Sequence, residues 1–588
     1  MKQFLKFTFA SIVGFFISLT LLFFFFISIS YFVASSIEGG ETISVSNNSI
    51  LKVKLDFTVP ERTQLIPIAS FASIPSFDKT IGLNDIIKSI KKAKNDNKIK
   101  GIFLDLDNLE IGGIAKIDAI RRALGDFKTS NKFIIAHGNS ISEKAYYLGS
   151  VADSIFITPT GTLEFDGFSM EMSFYKKALD KLEIEPQIFQ HGKFKSATEP
   201  FKFSKMSNEN REQLKAYLNS VYKNFISNIS ESINKPATEL VNIANNLEIN
   251  SAEDAVKFGL VNKLKYRDEV GSLLKRIVGI SPDKNLKIIS LKKYVHSKSS
   301  TVSSKNRIAI IYANGEITEG KGNENSIGTK NIIAAIRKAK KNKRIKAIVM
   351  RVNSPGGSPL TSDMIWREIN LAKKVKPFIV SMSDLAASGG YYISCAADSI
   401  VAEPNTITGS IGVFGIIPNA RKFFNDKLGI TFDRVKTNPN SGMMTFTTPL
   451  NGLQKKSIQK QVNDIYMDFA GRVAEGRRMT FEQVDAIAQG RIWSGIQAKE
   501  IGLVDELGGL DVALKIASEK AGIKNYKIIE YPHTKEPFEK IMELFSSSIG
   551  KTFFNNKIPE QFRQIAKASE VLTKSGVLVR LPFEFRID

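Results

Sequence analysis

The chain has 588 residues, 43% hydrophobic and 24% charged, which excludes wholesale disorder or a collagen-like repeat and leaves room for several domains. Lys and Arg number 82 against 59 Asp and Glu, a net charge of +23, yet the lysines are spread out with no arginine-rich stripe, so a membrane surface suits this chain better than nucleic acid. A single cysteine, Cys395, excludes an intramolecular disulfide framework, and the four histidines (His137, His191, His296, His533) lack ligand spacing, so neither a metal nor an organic cofactor is expected.

No charge falls between Lys6 and Glu38. That stretch exceeds the roughly 20 apolar residues needed to cross a bilayer, and its backbone must bond internally, which predicts a single transmembrane helix within 1–38. Lys2 and Lys6 favour a cytoplasmic N-terminus and place the rest of the chain outside. The rival is a cleaved signal peptide, with V-A-S around Ala34 as its cleavage candidate.

Beyond the anchor the chain repeats itself. G-L-N-D-I-I-K-S-I-K-K-A-K from Gly82 returns as G-T-K-N-I-I-A-A-I-R-K-A-K from Gly328, an offset of 246. The Tyr146–Tyr147 pair returns as Tyr391–Tyr392, offset 245, and the G-L-V at Gly259 returns at Gly502, offset 243. This ordered series means a tandem duplication, with repeats over 47–295 and 307–530, a Ser-rich linker over 296–306 and a tail over 531–588. Within each repeat, β-branched runs such as R-I-A-I-I-Y-A, A-I-V-M-R-V-N and F-I-V-S-M-S alternate with helix-period segments. The expected fold is therefore α/β with parallel sheets, twice over.

Chemistry here must run on hydroxyls, amines and carboxylates. In S-M-S-D-L-A-A-S-G-G-Y-Y, a strand is expected to end near Ser383 and Ser388 to open a helix, with Gly389 and Gly390 allowing close approach of a ligand. A capping serine beside a packing glycine pair is the plainer alternative. In R-V-N-S-P-G-G, Pro355 sets a turn and Gly356 and Gly357 can aim N–H groups at a carbonyl oxygen, unless this is only a Pro-Gly turn. In H-G-K-F-K-S-A-T-E-P-F, Lys195 has apolar neighbours, and a desolvated lysine can act as a general base, although most lysines are solvated. G-E-I-T-E-G-K-G mimics a phosphate loop but has Gly322 where a Ser or Thr is required.

Together with T-G-S-I-G (408–412), these motifs resemble the signal peptide peptidase A (protease IV) family in its long, tandem-repeat form, and the resemblance covers nearly the whole chain. It implies two Clp-protease/crotonase-like domains and a serine peptidase with a Ser–Lys dyad that degrades cleaved signal peptides. By that resemblance Ser388 is the nucleophile, Lys195 the base and Ser410 its orienting partner, with Gly356 or Gly357 and Gly389 forming the oxyanion hole. It also implies a single-pass inner-membrane protein with its catalytic portion on the periplasmic side, hydrophobic peptides and lipid as partners, and a homo-oligomer, a tetramer in the family. The repeat offsets bear on this independently. Offset 245 carries Ser388 onto Glu143, and offset 246 carries Lys195 onto Ser441, so each repeat keeps one member of the pair. A catalytically inactive peptide-binding scaffold and a crotonase-type acyl-CoA enzyme are the competing classes.

Overall fold

In the second repeat the runs Arg307–Asn314, Ile345–Ser354 and Phe378–Ala387 are buried almost throughout, as strands covered on both faces must be. The helices between them bury one stripe. Thr329–Lys341 turns Ile332, Ala335, Ile336 and Ala339 inward, and its first-repeat counterpart Leu83–Asn95 turns in Leu83, Ile86, Ile90 and Ala93. The computed structural model describes residues 2–38, 44–63, 80–297, 303–532 and 576–580. His533, the linker centre at 298–302 and most of the tail lie outside the described residues.

The first repeat supplies β1 (Ser49–Lys54), β2 (Ile99–Asp105), β3 (Phe133–Ile141), β4 (Ser154–Leu163), β5 (Glu185–His191), β6 (Lys263–Leu264) and β7 (Ile288–Ser290). All but β5 form a parallel sheet in the order β6-β4-β3-β2-β1-β7. The second repeat supplies β8 (Arg307–Asn314), β9 (Glu316–Thr318), β10 (Ser326–Gly328), β11 (Ile345–Ser354), β12 (Gly356–Gly357), β13 (Phe378–Ala387), β14 (Ser399–Ala402), β15 (Ile407–Gly409), β16 (Val413–Asn419), β17 (Ile492–Ser494), β18 (Glu506–Leu507) and β19 (Lys527–Tyr531). Its main sheet follows β17-β15-β13-β11-β8-β19, with β14 and β18 alongside. The tandem α/β architecture is thus present in both halves, each around its own core. One expectation needs correction: β13 does not end near Ser383 but runs to Ala387, because β15 pairs with Leu385–Ala387 and extends it to the brink of Ser388.

A third sheet joins the repeats, in the order β10-β9-β12-β20-β16-β5, where β20 (Gly576–Arg580) comes from the far C-terminal segment. In it β5 of the first repeat runs antiparallel to β16 of the second, from His191↔Val413 to Glu185↔Asn419. Charged pairs reinforce the joint. Arg122 grips Glu403 bidentately at 2.7 and 2.9 Å, and Arg351 Nε reaches Glu61 Oε2 at 2.9 Å. Burial alone would raise the Glu61 carboxyl, but the Arg351 and Lys116 charges outweigh it and hold the pKa to about 2.

The N-terminal helix Lys2–Glu38 is 37 residues long, and its window Lys6–Phe25 has a mean hydropathy of 2.2 and none of its length buried. Among the described residues it is the one helix long and apolar enough to cross a membrane.

Candidate active site

Ser388 stands between the end of β13 and the short helix Gly389–Tyr392, for which it occupies the N-cap position without a side-chain capping bond. Its backbone has φ 55° and ψ −117°, a conformation that strains a residue with a Cβ. The strain is held from both sides: Ser388 N–H donates to Gly409 O at 2.8 Å, and Ser388 O accepts from Tyr392 N–H at 2.8 Å. The side chain is fully buried, and since its hydroxyl does not cap the helix it is left to meet another partner.

That partner comes from the first repeat. β5 ends at His191, Gly192 turns the chain with φ 107°, and Lys195 follows, 2% exposed. Lys195 Nζ lies 2.9 Å from Ser388 Oγ, 2.9 Å from Ser410 Oγ and 3.0 Å from Ser410 O. Burial lowers its pKa from 10.5 to about 7, with no neighbouring charge among the causes. A neutral amine has two N–H groups and one lone pair. The two acceptors on Ser410 use the former, which leaves the lone pair facing the Ser388 hydroxyl. Ser410 also has a positive φ, 50°, and its N–H is held by Arg491 O at 2.7 Å.

The glycines expected around Ser388 are adjacent to it. A Cβ on Gly389 would lie 3.1 Å from both Gly356 Cα and Gly357 N, so side chains at these positions would push the walls apart. Gly356 N–H is engaged by Ser354 Oγ at 3.2 Å. Ser358 N–H bonds Ile317 O on the β9 side, so by strand alternation Gly357 N–H faces the opposite edge. Gly357 N–H thus faces β20, where Gly357 pairs opposite Val579, and Gly389 N–H, the first of its helix, is left without an intrahelical acceptor.

Neither nearby histidine joins this cluster. His191 Nδ1 bonds Asn463 Oδ1 at 3.0 Å and its ring stacks on Tyr466, while His137 Nε2 meets Lys265 O at 3.1 Å. In the first repeat, Tyr146 OH donates to Leu260 O as Tyr391 OH does to Leu503 O, which anchors the repeat correspondence in space. Glu143 accordingly stands near the serine position, where it accepts from Gly167 N–H and burial raises its carboxyl to about 7. Ser441, the counterpart of Lys195, lies in a stretch without strand or helix. The phosphate-loop mimic forms β9 and a turn instead of a strand–loop–helix unit.

Residues the motifs did not reveal complete the lysine's housing. A Cβ on Gly490, φ 81°, would sit 2.6 Å from Lys195 N and Cβ, and one on Gly412 would sit 3.2 Å from Lys195 Cδ. Gln213 Nε2 donates to Phe194 O at 3.0 Å and its Oε1 accepts from Ile492 N–H, tying the lysine turn to β17. A signal for Gly490 exists: offset 243 carries it onto Leu247, so the glycine is particular to the repeat that faces Lys195.

Comparison with known proteins gives this geometry a context. The description of peptidase family S49 matches residues 126–281 and again 370–524. The chloroplastic serine protease SPPA of Arabidopsis thaliana is 34% identical over 80% of this chain and 70% of its own length. Protease 4 of Salmonella typhi is 34% identical over 79% of this chain and 76% of its own, and Protease 4 of Haemophilus influenzae 35% identical over 75% and 73%. Among solved structures, a mutant of ClpP1 from Listeria monocytogenes aligns over 35% of this chain and 94% of its own at 16% identity and a TM-score of 0.24, too low to bear on the fold. Matched in both repeats, and sharing a third of its residues with proteases over most of their length, the chain belongs to peptidase family S49 and is a serine peptidase.

Proposed function

We propose that this peptidase is anchored in the membrane by its N-terminal helix, works outside it with Ser388 as nucleophile and Lys195 as base, and degrades signal peptides left behind by preprotein processing. The observation that carries the reading is the 2.9 Å contact between a fully buried serine and a lysine whose pKa burial lowers to about 7. Neutral Lys195 takes the Ser388 proton as Oγ attacks the peptide carbonyl. The oxyanion is received by the Gly357 and Gly389 N–H groups, each such donor being worth about 2.7–4 kcal/mol. The ammonium then protonates the leaving amine, and the regained neutral Lys195 activates the water that hydrolyses the acyl-enzyme. Ser410 keeps the amine aimed throughout. Lys2 and Lys6 ahead of the apolar helix favour an external, periplasmic catalytic portion.

The test is hydrolysis of synthetic signal peptides by the detergent-solubilised chain. Ser388→Ala and Lys195→Met should each lower the rate by at least about 10²-fold while circular dichroism is unchanged. A Lys195→Met variant within a few-fold of the parent would sink the dyad.

A homo-oligomer, the tetramer implied by the family resemblance, is part of the same proposal. Offset 246 carries β5 onto residues 431–437, which form no strand, and Ile430, Phe432 and Val435 stand exposed there, Val435 at 98%. A second copy can cover this segment as β16 covers β5 within the chain. Val435→Asp should therefore lower the mass seen by light scattering; an unchanged mass would count against this surface.

A further inference from the structure

Asp384 takes no part in the chemistry described so far, yet it lies four residues before Ser388 on β13 and reaches out of its own repeat. The helix it meets, Ile114–Lys128, is the first-repeat counterpart of Pro359–Lys373 at the recurring offset of 245, N-cap Gly113 matching N-cap Ser358. In the second repeat Ser358 Oγ accepts the third N–H of its own helix, that of Thr361, at 3.3 Å. Gly113 has no side chain with which to do the same. The acceptor comes from the other repeat: Asp384 Oδ1 accepts the Lys116 N–H at 3.1 Å, and Asp384 Oδ2 lies 3.2 Å from Lys116 Nζ. A Cβ on Gly113 would fall 2.1 Å from Asp384 Cγ, so only glycine admits the carboxylate. Offset 245 carries Asp384 onto Asn139, so this charge is particular to the repeat that bears Ser388.

The contact is held as an ion pair inside the joint. Burial alone would lower the Lys116 pKa, but the Asp384 and Glu61 charges outweigh it and raise it, so Lys116 stays an ammonium. Its Nζ also donates to Val59 O at 2.8 Å and lies 3.5 Å from Glu61 Oε1, and Glu61 in turn accepts the Ser383 hydroxyl. The first repeat therefore grips Ser383 and Asp384, β15 pairs with Leu385–Ala387, and Gly409 O takes the Ser388 N–H. Ile114, the first residue of the capped helix, packs in one apolar cluster with Ala387. The strand that delivers Ser388 is thus fixed along its last residues, and its only charged tie there is to the repeat that carries Lys195.

We propose that Asp384 is a positioning residue: by capping a helix of the lysine-bearing repeat from the serine-bearing strand, it sets the register in which Ser388 Oγ meets Lys195 Nζ. The proposal rests on the reading of Ser388 and Lys195 as the reacting pair. A displaced Ser388 loses its proton acceptor while the peptide still binds, so the effect falls on kcat and not on KM. The cap and the tie are separable, because the cap can be returned to its own repeat. Asp384→Ala empties the space beside Gly113, whose φ −71° and ψ 153° suit an N-cap serine. Gly113→Ser added to Asp384→Ala then supplies the hydroxyl that Ser358 supplies in the second repeat, with no link to β13.

The test uses the full chain in detergent, assayed on a synthetic signal peptide, with urea unfolding of each variant beside it. Asp384→Ala should lower kcat about tenfold with KM within about twofold of the parent, and should lower the urea midpoint. Gly113→Ser with Asp384→Ala should regain the midpoint and keep the low kcat. Return of kcat together with the midpoint, or a parental kcat in Asp384→Ala, would overturn the proposal, since the contact would then be a helix cap and nothing more. Should Asp384→Ala not fold, Asp384→Asn carries the test, because its amide oxygen still accepts the Lys116 N–H while the charge is gone. A kcat lowered about threefold or more at unchanged KM supports the tie, and a parental kcat overturns it. Lys195→Met runs alongside: a parental rate there indicts the dyad itself, whereas a silent Lys195→Met beside a parental Asp384→Ala sinks the positioning role alone.

Discussion

Lys195 is the residue on which pH should act. Only its neutral form accepts a proton, so with a pKa near 7 the rate should climb between about pH 6 and 8 and then level. A profile that stays flat across this range with chemistry limiting would contradict a lysine base. The same burial has a thermodynamic sign. The unfolded lysine keeps its proton up to about 10.5 and the folded one only to about 7, so stability rises with pH between these values and the burden is fullest below 7. At and below neutral pH that burden is on the order of 5 kcal/mol. Lys195→Met should therefore be more stable than the parent in urea at pH 6, and the difference should shrink toward pH 10. Ser410→Ala leaves one acceptor, the Ser410 carbonyl, for the two N–H groups of the amine. It should lower kcat roughly 10-fold or more with KM little moved, and shift the midpoint of the pH profile, which a merely structural serine would not do.

At the scale of elements, the decisive features are turns instead of the strands that carry them. Gly490 and Gly412 let two chain segments close on the lysine stem, and Gly490→Ala meets Lys195 backbone at 2.6 Å in a positive-φ position. We expect this variant to lose most of its activity and about 1–3 kcal/mol of stability, measured by denaturant unfolding beside peptide hydrolysis. Ser388 and Lys195 sit in short strings whose residue types suggest a turn and a desolvated amine beside plainer alternatives, whereas Ser410 is reached only through the family resemblance. Motifs do not point to Gln213, whose meaning comes only from what folding places opposite it, and Gly490 is singled out by the repeat offset alone. The β13 boundary escapes the motif for a related reason: D-L-A-A looks like the end of a strand until β15 supplies a partner. The parallel sheets and helix stripes are legible because their periodicity is local. The sheet joining the repeats is not, since β5, β12, β16 and β20 come from four distant stretches and β12, a pair of glycines, is too short to signal a strand.

Over the whole molecule, duplication is legible because offsets near 245 recur three times, but they do not say that the halves share one sheet. That sharing makes the joint testable. Glu403 is fully buried but the Arg122 side chain is 43% exposed, so Arg122→Ala, which removes the bidentate partner, should cost about 1–3 kcal/mol and appear as early uncoupling of the repeats in denaturant. The segment 301–588 expressed alone should be inert on peptides, and co-expression with 47–300 should restore turnover; robust hydrolysis by 301–588 alone would assign Ser388 a different base.

The 193 residues between Lys195 and Ser388 have a consequence for the life of the chain before it is finished. During synthesis the half bearing the amine emerges first and the half bearing the hydroxyl follows, so a nascent chain shorter than 388 residues holds only one of the two groups. On the proposed dyad, competence requires that β16 close on β5. On the same dyad, the onset of turnover during refolding becomes a clock for the docking of the two halves.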